Sequence, residues 1–144
     1  MKNTIALAFV VTFIAGFAAG TTVPSIGVRA AVADHVFEMR TYTAPPGKLE
    51  ALKTRFRDHT IRIFAKHDMK SIGYWIPQDA PLSGSTLIYI LEHPSREAAK
   101  ANWAAFSKDP EWVKAKAESE KDGPLVAKPP DSVFLDPADF SQIR

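Results

Sequence analysis

From residue 35 onward the chain switches repeatedly between two hydrophobic periods. His35 to Thr43 alternates β-branched and aromatic residues with charged ones before Pro45-Pro46-Gly47, which predicts a strand. Period two puts Phe37 and Met39 on one face and Glu38, Arg40 and Tyr42 on the other. Leu49, Leu52, Phe56, Ile63 and Phe64 then recur at steps of three and four, predicting an amphipathic helix from Lys48 to His67. Glu50, Arg55, Asp58, Arg62 and Lys66 are expected on its solvated side. Ser71 to Ile76 and Thr86 to Glu92 are strand-like, and the Pro, Asp, Ser and Gly residues between them suit a hairpin connection. Ser95 is the expected N-cap of a second, alanine-rich helix running to about Ser107. Asp109-Pro110 restarts it, because Asp caps well and Pro is tolerated at the first helical position; the continuation ends near Lys121, before Gly123-Pro124. A short strand, Ser132 to Leu135, precedes an irregular tail.

This order, strand-helix-strand-strand-helix-strand, predicts an α+β domain of the ferredoxin-like βαββαβ plan. Right-handed crossovers would close a four-stranded antiparallel sheet with two helices on one face. The other face would stay bare, although Leu87-Ile88-Tyr89-Ile90-Leu91 is apolar on both sides. An exposed apolar face calls for a partner, and a second copy packed sheet to sheet is the economical one, so a homodimer is expected.

The first 33 residues follow a different rule. Lys2, the uncharged run Ile5 to Gly20 and the A-x-A pattern Ala31-Val32-Ala33 form, in order, the three parts of a secretory signal. The run of 16 residues is shorter than the roughly 20 of a membrane-spanning helix. Residues 1–33 are therefore expected to be a cleaved leader, residues 34–144 the working domain, and the destination the periplasm or the medium. The membrane would be a partner only through an uncleaved leader.

Charge sharpens this division. The whole chain carries +2, but Lys2 and Arg29 are two of its 18 basic residues, which leaves 16 against 16 acidic after residue 33. A neutral domain gives net charge no part in nucleic-acid binding. The chain has no cysteine, which excludes disulfides, thiolate metal sites and cysteine nucleophiles. The histidines 35, 59, 67 and 93 form no H-x-x-x-H pair, so no metal site is expected. No G-x-G-x-x-G, G-x-x-x-x-G-K or G-x-S-x-G sequence occurs, and no cofactor is expected.

Two segments, Phe37-Glu38-Met39-Arg40-Thr41-Tyr42-Thr43 followed by Pro46-Gly47-Lys48, and Trp103-Ala-Ala-Phe-Ser-Lys-Asp-Pro-Glu-Trp112, resemble the NIPSNAP family. There an E-x-R-T-Y strand with a Pro-Gly turn opens the domain, and a W-x-x-F-x-x-D-P-x-W helix break lies in its second half. The resemblance spans Val36 to Leu135. It implies a dimeric α/β barrel, related in fold to small monooxygenases, isomerases and dehydratases, without supplying a reaction.

Candidate chemistry is confined to a few polar positions. Glu38 and Arg40 share a strand face at a spacing that allows a charge-assisted hydrogen bond, either as a structural ion pair or as a joint hold on a polar ligand. Tyr42, on the same face, has a hydroxyl for a ligand oxygen or for packing. His59 lies at the edge of the helix's apolar stripe, where it would serve as a general base or as a packing residue. Trp103 and Trp112, with Phe106, flank the Asp109-Pro110 break and either wall an apolar pocket or anchor the helix. Three functions fit: a homodimeric module binding a small organic molecule through Glu38, Arg40, Tyr42, Trp103 and Trp112; a cofactor-independent monooxygenase or isomerase with His59 as base; or a structural or protein-interaction module. The first is preferred.

Overall fold

A computed structural model describes residues 35–143. The leader and its cleavage point lie outside the described residues. Strand β1 spans Val36–Thr43, β2 Lys70–Trp75, β3 Thr86–His93 and β4 Asp131–Leu135. They form one antiparallel sheet in the order β2-β3-β1-β4, the ferredoxin-like arrangement expected from the sequence. Among the described residues no helix is long and apolar enough to cross a membrane.

The first helical region is continuous but irregular: α1 (Leu49–Arg55), a π-helical turn (Phe56–Thr60) and α2 (Ile61–Lys66). In the π turn the Ile61 N–H donates to the Phe56 carbonyl, five residues back, and the Thr60 hydroxyl donates to the Arg55 carbonyl at 3.2 Å. A π turn inserts a residue, which rotates the following helix and keeps Ile63 and Phe64 on the buried side with Leu52 and Phe56. The second region splits where Asp109-Pro110 predicts, into α3 (Arg96–Lys108) and α4 (Pro110–Ser119). Ser95 caps α3 by accepting from the Ala98 N–H at 3.1 Å, and Asp109 caps α4 by accepting from the Glu111 N–H at 2.8 Å. Asp109 also receives Lys66 at 2.6 Å and His67 at 2.7 Å, tying the end of α2 to the start of α4.

The core lies between helices and sheet. Leu52, Phe56, Ile63, Phe64, Leu87, Tyr89, Leu91, Phe106 and Leu125 are buried there, with tilted ring contacts linking Phe64 to Phe106 (5.0 Å) and Phe106 to Trp112 (4.5 Å). Register places Tyr42 opposite Leu87, Arg40 opposite Tyr89 and Glu38 opposite Leu91, so the polar side of β1 faces the helices. Phe37, Met39, Ile88 and Ile90 take the other face. That face is partly covered: Pro137, Ser141 and Ile143 of the tail, with Leu135, join Phe37, Ile72 and Ile90 around a cavity of about 180 Å³. The remainder is open, with Trp75 and Val133 49% and 48% exposed. The Trp75 ring lies over Gly73, where an added Cβ would stand 2.7 Å from it.

Candidate functional site

Glu38 is the hub of the helix-facing polar residues. Its side chain is 2% exposed, and each carboxylate oxygen accepts two hydrogen bonds. Oε1 takes Ser132 Oγ at 2.6 Å and Arg40 Nη1 at 2.9 Å; Oε2 takes Trp103 Nε1 at 2.6 Å and His93 Nε2 at 3.2 Å. Burial alone would raise the carboxyl pKa. The bonds from His93, Ser132 and Trp103 and the charge of Arg40 outweigh it and bring the value from 4.5 down to about 2. The carboxylate is therefore ionised and its acceptor capacity is used, which makes it an anchor for its neighbours and a poor proton acceptor. Since an ionised carboxylate only accepts, His93 carries a proton on Nε2.

Arg40 depends on that anchor. Its guanidinium lies 4.1 Å from the Trp103 ring and 5.9 Å from the Tyr42 ring, while its Nε–H is buried without a partner. The Tyr89 hydroxyl, from the strand position opposite Arg40, is likewise buried and unpaired. Burial pushes the Tyr89 phenol well above 10 and keeps it neutral.

Two depressions open near these residues. One, of about 460 Å³, is lined by Glu38, Trp103, Arg96, Lys100 and Phe134. The other, of about 410 Å³, lies between β1, the helices and the segment after α4, and is lined by Tyr42, Arg55, Trp112, Pro124, Val126 and Pro130 among others. The residues expected to hold a ligand thus divide: Glu38 and Trp103 belong to the first space, Tyr42 and Trp112 to the second, and Arg40 lines neither. His59 is half-buried in the π turn and lines neither space. The other histidines are spread over three carboxylates: His35 on Glu92, His67 on Asp109 and His93 on Glu38.

Three site residues were missed by the sequence. Arg55, expected on the solvated side, is 3% exposed; the rotation of the helix and the end of α4 enclose it. Its Nη1 donates to Glu120 at 2.7 Å, its guanidinium stands 5.2 Å from the Trp112 ring, and its Nε–H is buried and unpaired. His93 continues the inward series Leu87, Tyr89, Leu91, a period-two signal present in the sequence. Ser132 reaches Glu38 through the β1–β4 register, which pairs it with Arg40 and which no local pattern announces.

A family model described as NIPSNAP matches residues 37–142. The chain belongs to the NIPSNAP family. Solved NIPSNAP structures share its fold. A NIPSNAP family protein of unknown function from Agrobacterium tumefaciens has 22% identity and a TM-score of 0.66, covering 78% of this chain and 96% of its own. A second from that organism has 24% identity and a TM-score of 0.66, covering 76% and 99%. An uncharacterised NIPSNAP-like domain protein from Burkholderia xenovorans has 21% identity and a TM-score of 0.64, covering 76% and 90%. No curated protein matches significantly.

Proposed function

We propose that this NIPSNAP domain is an exported, homodimeric module that binds a small organic molecule in the space between Tyr42, Arg55 and Trp112. The observation that carries the reading is the space itself. Its volume, about 410 Å³, lies within the range of small-molecule sites, and it combines aromatic and proline walls with one buried cation. The Glu38 network fixes Arg40, whose guanidinium stands 5.9 Å from the ring of Tyr42, one of the lining residues. Binding is preferred to catalysis because a general base has to stand beside the bound molecule; Glu38 is held ionised by four donors and His59 lines neither depression. Dimerisation is favoured by the exposed Trp75 and Val133 on the sheet face away from the helices. Export rests on the leader sequence.

The test is a thermal-shift screen of small organic molecules on the protein and on the A127W variant. Ala127 is an exposed lining residue whose backbone N–H bonds to the Thr43 carbonyl, so a larger side chain fills the space while that bond is kept. A ligand at 100 times its dissociation constant adds about 2.7 kcal/mol. Hits that stabilise the protein and not A127W are expected; hits that stabilise both equally would place binding elsewhere.

A further inference from the structure

We infer that the molecule held in this space is an aromatic carboxylate, a flat apolar ring bearing one negative charge. The inference rests on the binding reading above and names its chemistry. Four charged side chains line the space: Arg55, Lys116 and Lys128 against Glu120. Lys128 also pairs with Asp131 at 2.9 Å and Arg55 with Glu120 at 2.7 Å, so the lining is net positive, with Arg55 the buried cation and Lys116 and Lys128 on the exposed rim.

Arg55 is only partly satisfied. Nη1 is committed to Glu120 and approaches Ser119 Oγ at 3.4 Å, but the Nε–H, inside a side chain that is 2% exposed, has no partner. A buried guanidinium with one unused donor is suited to a carboxylate, whose charge-assisted hydrogen bonds are roughly twice as strong as those of a neutral carbonyl. The walls select the rest of the molecule. The Trp112 ring, on which the guanidinium leans, the Tyr42 ring, Pro124, Val126 and Pro130 offer flat apolar surfaces and few competing hydrogen-bond groups.

The decisive experiment is calorimetric titration of the protein with 2-naphthoate and with its uncharged counterpart 2-naphthamide. 2-Naphthoate is expected to bind about tenfold or more tightly than 2-naphthamide, a gap of about 1.4 kcal/mol. Added potassium chloride should narrow the gap, and A127W should abolish both signals. The preference is expected to disappear in the R55Q/E120Q double variant, which removes both charges of the pair together. K116Q/K128Q, on exposed side chains, should narrow the preference without affecting folding and serves where the first variant is unstable. Equal affinity for the two probes would overturn the carboxylate inference and leave the binding reading standing. A preference for 2-naphthoate that survives both A127W and the charge variants would overturn it by locating the anion elsewhere. Absence of binding by either probe would overturn the aromatic-carboxylate inference, while the binding reading falls only if the thermal-shift screen also finds no hit lost in A127W.

Discussion

Glu38→Gln is the substitution with the most to reveal about how the site is held. It removes the charge that four donors share, and its amide NH2 group meets donors where the carboxylate accepted. Arg40, whose side chain is 17% exposed, loses its counter-ion. Removing one partner of a buried pair costs about 3–5 kcal/mol. The depressed acidity of Glu38 points to a similar figure: its pKa lies at about 2 against an ordinary 4.5, and at about 1.4 kcal/mol per pH unit this contributes about 3 kcal/mol. Because the folded pKa is depressed, that contribution is fully present above pH 4.5 and is lost as pH falls through about 2. The assay is urea unfolding of both proteins from pH 7 down to pH 2. The other acid-strengthened carboxylates, Asp109, Glu92, Glu97 and Glu111, are common to both and cancel in the difference. The variant should be about 3–5 kcal/mol less stable at pH 7, with the difference shrinking towards zero near pH 2. A difference below about 1 kcal/mol at pH 7, or one that does not change with pH, would refute the account of Glu38 as a charged anchor.

Four further outcomes are expected. Trp103→Phe, which removes one bond to Glu38 but keeps a ring under Arg40, should raise the pH at which acid unfolding begins and lower stability by about 1.5–3 kcal/mol in urea unfolding. Asp109→Ala removes the α4 cap and the tie to Lys66 and His67, and should lower the melting temperature by roughly 4–8 °C in calorimetry. Equilibrium sedimentation should find a dimer at micromolar concentration; a monomer would remove the homodimer from the proposal. Mass spectrometry of the exported protein should find Asp34 as its first residue, and a chain beginning at Met1 would point to a retained anchor.

What the sequence made legible was whatever depends on local period. The four strands, the split of the second helix at Asp109-Pro110 and both caps follow from short-range chemistry, and the structure has them within a few residues. Alternation also grouped Glu38, Arg40 and Tyr42 on one face of β1 but could not say which layer that face meets. The polar face meets the helices, where the charged residues satisfy one another, while Phe37 on the opposite face is covered by the tail. Arg55 was illegible for a related reason. A charge beside an amphipathic stripe reads as solvated unless its partners are known, and Glu120 and Trp112 lie far along the chain. Ser132 joins the site only through strand register. Long-range pairing, which sets the site, leaves little trace in a single sequence.

The central claim, that a small molecule occupies the helix-side space and not the open sheet face, can be read from the protein's own tryptophans. There are three: Trp112 in the wall of the space, Trp103 beneath Arg40, and Trp75 on the open face. Indole N–H resonances followed by NMR during titration with 2-naphthoate should show Trp112 shifting most and Trp75 unmoved. A shift confined to Trp75, or no shift at saturating probe, would contradict it.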